Sequence, residues 1–520
     1  MRPFYLILVL LGAFFLVSQY IWSYKDYPLN WDEVDYINAS RKGFVENNLE
    51  VNSFSLHRFL ELGYAKKQND TAAVQRLAKM HAPESEDVFY LRHFHPPLPH
   101  YYWQWFDRPD LPEVEEWRFR LSNIIWLLVI YVSLLVAFAL IDQLDVKSTF
   151  LSALAFGFVL VTPAGYRCFA LMSHHIFHLS ACVVFCGALM RFLRKPSALN
   201  SYILGVSIAF LFLTLEMCLA VIAGAFIVVL VAQKWQLFWK LKRVLQITLG
   251  FVIPIAALWM GFFLSGGSVK ALLMYMYRIL AQNNTEYAQV SWLQNWLTMV
   301  LENPLLFIWI LLGAGITIWQ VYQKQIRPYT LVPLIVGSFY AIVMTPFMLA
   351  PSYMLPALGM LSLNAALAFY KWSAEKNVQL SADLFLVLSF CAWAFWQWET
   401  MSLENLRLEN EKVQKELQSD LSKIRPLLNT PKPVISTAAH IFNFYLKTNK
   451  IELLDRYNAK RPDFFIREYF SYRDIKPELM QKKYGLVIVH KWLKYHEYDL
   501  NKLEKWGYTR KDLNSVIIFY

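Results

Sequence analysis

The sequence predicts an all-α polytopic membrane bundle of about eleven transmembrane helices, joined to a large outer-face first loop and a small C-terminal α/β domain. Three observations carry this. Of 520 residues, 57% are hydrophobic and the mean hydropathy is +0.32, above the roughly 45–50% apolar share of soluble domains. The excess falls in nearly charge-free blocks of about 15–22 residues, the length a helix needs to cross some 30 Å of hydrocarbon. The two long intervals outside these blocks, 24–120 and 399–520, are polar enough to fold in water.

The expected spans are 4–23, 121–141, 150–163, 174–190, 200–215, 217–233, 244–264, 303–320, 329–349, 353–370 and 381–398. Arg2 precedes the first run, but Gln19, Tyr20, Ile21, Trp22 and Ser23 end it without a small-x-small cleavage pattern, so it is expected to be a retained anchor. Orientation follows the excess of Lys and Arg in cytoplasmic loops. With the N-terminus inside, the loops at 191–195, 234–243, 324–327 and 371–376 are basic, and only 142–149, with Asp142 and Asp145 against Lys147, departs from the rule. Segments 24–120, 265–302 and 399–520 are then expected outside. The net charge of +11 largely reflects this loop bias; the basic tail on the outer face reads either as a plain soluble surface or as suited to anionic lipid or polysaccharide more than to nucleic acid. Five cysteines lie in or beside the spans, so no disulfide framework staples the outer parts. Two sequons, Asn69-Asp-Thr71 and Asn283-Asn-Thr285, fall in outer segments.

The domain division is 1–398, transmembrane, and 399–520, a soluble tail. Leu403, Leu406, Val413 and Leu417 alternate with charges at helical spacing. A helix is expected near 437–447, and the runs 485–490 and 516–520 read as strands, which fits a small α/β domain.

Chemistry concentrates in 24–120. Asn30-Trp31-Asp32-Glu33-Val34-Asp35-Tyr36 sets three carboxylates where the first helix leaves the membrane, suited to a general base or a divalent cation, or to a plain acidic helix start. Further on, Arg92-His93-Phe94-His95-Pro96-Pro97-Leu98 interrupts any helix and leads into Tyr101-Tyr102-Trp103-Gln104-Trp105, an interfacial aromatic run.

Asp32-Glu33-x-x-Tyr36 after an N-terminal anchor, then Pro96-Pro97-Leu98 before the second span, then Tyr353-Met-Leu-Pro356 opening the tenth, resembles the C-type glycosyltransferases, in particular their protein O-mannosyltransferase and aminoarabinose-transferase branch. The resemblance covers residues 1 to 398 and implies transfer of a sugar from a polyprenyl-phosphate carrier to an extracytoplasmic acceptor with inversion. It implies Asp32, with Glu33 beside it, as the acidic residue at the catalytic position, acting as the base or as the residue that orients the acceptor. Cations must meet the departing phosphate: Arg167 is the first candidate, with Arg92, Lys270 and Arg278 as further outer-face cations, and His95 and Tyr353 as further phosphate-binding candidates. Family members often carry a second acid on a later outer loop. Here that region is Met172-Ser173-His174-His175, so a divalent metal held by His174 and His175 with Asp32 is the candidate cofactor. Glu216, interrupting an apolar stretch, is a further candidate for sugar or acceptor contact. The competing reading is a transporter or flippase of lipid-linked sugars, against which stand the missing internal repeat and the acids gathered at one face. A non-catalytic assembly or sensor protein is the third reading. The expected location is a bacterial inner membrane with the active end outside.

Overall fold

The protein is seen in a computed structural model that describes residues 2–41, 53–55, 65, 68, 70–73, 88–90, 96–215, 217–258, 292–325, 327–345, 351–375, 379–458, 461–468, 471–491 and 497–520. Apolar runs fold as helices because hydrocarbon offers no partner for a bare N–H or C=O, and a helix satisfies both within one segment.

The bundle begins with α1 (Arg2–Ser23), followed by the short α2 (Trp31–Arg41), the antiparallel pair β1 (Ser53–Ser55) and β2 (Val88–Tyr90), and α3 (Leu98–Gln104). Then come α4 (Glu116–Leu140), α5 (Val146–Leu160), α6 (Pro163–Ala170), α7 (His174–Arg194), α8 (Ala198–Thr214), α9 (Cys218–Val231) and α10 (Leu241–Leu258). After α11 (Trp292–Glu302) follow α12 (Pro304–Tyr322), α13 (Val332–Met344), α14 (Leu355–Glu375) and α15 (Gln379–Met401). Each expected span overlaps a described helix, while 259–264 and 346–349 of two of them fall outside the described residues. By length and composition six described helices are apolar enough to cross a membrane, and α5 with α6 makes a seventh if that bent pair counts as one span. The protein is an integral, multi-pass membrane protein.

The expected span 150–163 is not one straight helix. The chain bends by 76° between α5 and α6, because Pro163 has no N–H to continue the ladder and disfavours helical backbone at Thr162. Thr162 caps the new helix instead: its Oγ1 accepts from Gly165 N–H at 3.0 Å and donates to the Val159 carbonyl at 2.6 Å. Elsewhere small residues let helices touch backbone to backbone. A Cβ on Gly187 would stand 2.7 Å from Ala137 Cα, and one on Gly313 only 2.4 Å from Ala365 Cα.

One end of the bundle is basic. Arg2 pairs with Asp383 at 2.6 Å, tying the start of α1 to α15. Asp142, in the loop that departed from the charge rule, receives Lys195 Nζ at 2.9 Å and Arg191 Nη1 at 3.2 Å, with Arg194 nearby. Lys195 foremost, then the two arginines, holds its carboxyl below the usual range. The acidic loop is thus neutralised by the basic loop at the same end.

At the other end the chain leaves the bundle. Ser402, at a left-handed φ of 46°, breaks α15 from α16 (Leu403–Ile424). The C-terminal sheet has the order β6-β5-β4-β3-β7-β9-β8. Its strands are β3 (Val434–Ser436), β4 (Ile451–Asn458), β5 (Arg461–Glu468), β6 (Ser471–Asp474), β7 (Leu486–His490), β8 (Arg510–Asp512) and β9 (Val516–Phe519). Only β3 pairs in parallel, with β4 and β7; α17 (Ala439–Leu446) forms the crossover from β3 to β4. The strands expected at 485–490 and 516–520 and the helix at 437–447 are therefore present, whereas the charged strands β4 to β6 were not anticipated. Buried Asp420 fastens α16 to the sheet, accepting from the N–H of Asn514 at 3.1 Å and of Ser515 at 2.6 Å.

Candidate functional site

The site grows from the start of α2. Asn30 and Glu33 form a reciprocal cap: Asn30 Oδ1 accepts from Glu33 N–H at 3.0 Å, and Glu33 Oε2 accepts from Asn30 N–H at 2.8 Å. The same carboxylate, 1% exposed, is gripped by the two guanidinium ends of Arg120, itself fully buried, with Nη2 to Oε2 at 2.8 Å and Nη1 to Oε1. Met172 N–H donates to Oε1 at 2.7 Å, and Arg120 Nη2 also reaches the Pro28 carbonyl at 3.1 Å. One buried acid thus ties together α2, the beginning of α4 and the turn before α7.

Asp32 is exposed. Consecutive helical residues point about 100° apart, so the neighbour of a fully engaged inward acid faces out. The two carboxylates expected to act side by side are separated in role. Glu33 has every oxygen committed to the scaffold; Asp32 is the one presented to solvent.

One turn beyond Asp32, Tyr36 stacks on Trp103 with ring centres 5.4 Å apart and 10° between planes. His174 stands edge-on to Tyr36 at 4.5 Å and to His100 at 5.1 Å, and His100 Nδ1 lies 3.1 Å from the Tyr36 carbonyl. His175 meets the Tyr353 ring at 4.8 Å. The structure therefore gathers α2, α3, the start of α7 and the turn before α14, and brings Tyr353 to His175.

Among the described residues no group of three or more His, Cys, Asp or Glu side chains could hold a metal ion. His174 and His175 are successive on α7 and diverge: His174 is buried in the aromatic cluster while His175 turns to Tyr353.

Arg167 lies on α6, 56% exposed at its side chain, 3.6 Å from Glu302. Both border a groove of about 460 Å³ walled by Tyr166, Trp393, Trp396 and Gln397. Arg92, His95, Glu216, Lys270, Arg278 and both sequon asparagines fall outside the described residues.

Two elements of the site escaped the sequence. Arg120 looked like any cation at the head of an apolar span; its burial depends on Glu33, which is 87 residues away. The other is the C-terminal part. The Tyr445 hydroxyl accepts from Leu29 N–H at 2.8 Å, Gln414 Nε2 donates to Glu116 at 2.9 Å, and Asn410 Nδ2 donates to the Ser23 carbonyl at 2.9 Å. The Arg41 guanidinium sits over the Phe444 ring at 4.4 Å. The tail holds both ends of the segment that bears Asp32.

No family profile and no curated protein matches this chain. Solved structures do. The crystal structure of ArnT from Cupriavidus metallidurans bound to undecaprenyl phosphate aligns with a TM-score of 0.56 at 14% identity, over 98% of this chain and 97% of that one. ArnT from the same organism in the apo state aligns at 0.46 and 12%, over 94% and 95%. The chain has the fold of ArnT, the aminoarabinose-transferase branch of the C-type glycosyltransferases that its motifs resemble.

Proposed function

We propose that this protein is an inverting glycosyltransferase that moves a sugar from a polyprenyl-phosphate carrier to an extracytoplasmic lipid, glycan or protein. The observation that carries the reading is the exposed Asp32 beside a fully engaged Glu33, at the bundle end to which the tail docks. The whole-length fold likeness to ArnT, solved with undecaprenyl phosphate, supports the donor class.

In this mechanism Asp32 accepts the proton of an acceptor hydroxyl or amine, which attacks the anomeric carbon opposite the lipid phosphate. The bond from anomeric carbon to phosphate oxygen breaks, its electron pair leaves with the polyprenyl phosphate, and one displacement inverts the configuration. Arg167, from the described residues, supplies positive charge to that phosphate, and Tyr353 a hydroxyl. Arg92 and His95 keep the same assignment on motif alone. Glu33 is a positioning residue: it fixes the helix start that aims Asp32. Eleven crossings with a cytoplasmic N-terminus put 24–120 and the 399–520 domain on the outer side, in a bacterial inner membrane.

The test is transfer of radiolabelled sugar from a panel of polyprenyl-phosphate sugars in reconstituted membranes. Asp32→Asn should lower transfer by about 10²–10⁴-fold, the usual worth of a general base. Equal transfer removes Asp32 from the mechanism. Transfer from no donor, with flipping of a labelled lipid-linked sugar, replaces the enzyme by a transporter.

A further inference from the structure

The basic end of the bundle, remote from Asp32, holds a second polar site. A cavity of about 400 Å³ lies between the ends of α4, α7, α12 and α14 and the turn at 327–330, within the roughly 300–1,000 Å³ typical of small-ligand pockets. Its deeper wall is unusual for the inside of a membrane bundle. Gln320 is 1% exposed, yet neither its Oε1 nor its Nε2 has a hydrogen-bond partner among the described residues. Asn364, 2% exposed, spends its Oδ1 on the Thr317 hydroxyl at 3.2 Å and leaves Nδ2 without a partner. Gln143 Oε1 is a second buried acceptor without a partner among the described residues. Buried amides are almost always bonded, so this many unpartnered atoms on one cavity wall suit a ligand with donors and acceptors of its own.

The charge around them narrows the chemistry. The described lining carries Arg194, Arg327 and Lys371 against a single carboxylate, Asp142. That carboxylate is already shared by Arg191, Arg194 and Lys195, so the excess is positive. Gln320 stands two residues before the end of α12 at Tyr322, and Asn364 seven before Lys371 on α14, which at about 1.5 Å per residue puts the amides roughly 3–10 Å inside the cationic rim. A ligand that satisfies both levels has an anionic phosphate and, a few ångströms deeper, hydroxyl groups.

We propose that this cavity binds a phosphate ester of a polyol, supplied as the headgroup of an anionic lipid such as phosphatidylglycerol. The phosphate meets Arg327, Lys371 and Arg194, and the glycerol hydroxyls bond Gln320 and Asn364. Lipid is the favoured source because basic helix ends face the leaflet where anionic headgroups gather. The proposal is independent of the reaction at Asp32.

The test uses the full chain, purified and delipidated in detergent, with native mass spectrometry of bound lipid. Phosphatidylglycerol should be retained at least about tenfold better than phosphatidylcholine, and Gln320→Leu should cut that retention about tenfold. Thermal stability should stay the same or rise, since leucine removes two unbonded atoms. Arg327→Gln should erase the preference between the two lipids while leaving residual binding. Soluble glycerol phosphate forms the second arm: if it alone binds and is lost in Gln320→Leu, the polyol phosphate chemistry stands with a soluble source. Equal retention of both lipids without glycerol phosphate binding overturns the proposal and leaves water in the cavity. So does a phosphatidylglycerol preference that survives both substitutions, because the lipid then sits elsewhere on the basic surface.

Discussion

Removing the Glu33 carboxylate is the most demanding test of the architecture. In Glu33→Ala the Arg120 guanidinium, fully buried, loses both contacts to the acid and keeps only the Pro28 carbonyl at 3.1 Å and the Tyr27 carbonyl at 3.4 Å. The N–H groups of Asn30 and Met172 lose their acceptor as well. Breaking one side of a buried ion pair typically costs about 3–5 kcal/mol, because an uncompensated charge is left behind. That is a large share of the roughly 5–15 kcal/mol that holds a folded domain together. Glu33→Met with Arg120→Met removes both charges at similar volume and should recover most of the loss. Sugar transfer should not recover with it, since Asp32 is aimed by the pair and a shift of about 1 Å can cost on the order of 10²-fold in rate. The assay is unfolding in mixed micelles with increasing denaturing detergent, run beside the transfer assay on all three variants. A single variant costing under about 1 kcal/mol, or a double variant no more stable than the single, would refute the buried-charge argument. A double variant that regains full transfer would show that the pair does not position Asp32.

Three further outcomes follow from other contacts. Asp420→Ala withdraws four hydrogen bonds to Asn514 and Ser515 and should cost about 3 kcal/mol, read as faster proteolysis of the turn at 513–515. Gly187→Val drives a side chain against Ala137 Cα and should cost about 1–3 kcal/mol in the same micelle assay; Ala137→Gly should relieve it only in part, because the clash is with backbone. Burial holds the His490 imidazole below the ordinary histidine value, with Asp420 opposing the shift, so the unfolded chain binds more protons below about pH 6.5. The stabilisation is present above that pH and fades as pH falls, and His490→Gln should flatten the dependence of unfolding on pH between 8 and 5.5.

The spans were legible because hydrocarbon imposes one length and one composition on every crossing, and α4, α7 and α12 have little freedom to be anything else. The bend at Pro163 was hidden inside a run whose apolar count alone satisfied the expectation. Strands β7 and β9 announced themselves through Leu486-Val-Ile-Val and Val516-Ile-Ile-Phe, both buried; β4 and β5 carry charges along their length, and their pairing depends on partners that local pattern does not reveal. Asp32 and Glu33 look alike in sequence. Which faces solvent is decided by Arg120 and by the turn at Met172, 139 residues away from Glu33. The histidines were found, but their division between Tyr36 and Tyr353 follows from helix geometry that composition does not express.

The bond between Leu29 and Tyr445 spans 416 residues of chain. During synthesis the segment bearing Asp32 emerges near the beginning, while α17, which grips it, comes more than 400 residues later. Ribosomes add about 5–20 residues per second, so the early segment waits tens of seconds for the part that completes its shape. A half-made chain already in the bilayer would hold the acid without the tail that braces it. The contacts of the tail with Leu29, Ser23 and Glu116 thus form only after it is made, so the segment bearing Asp32 is braced last.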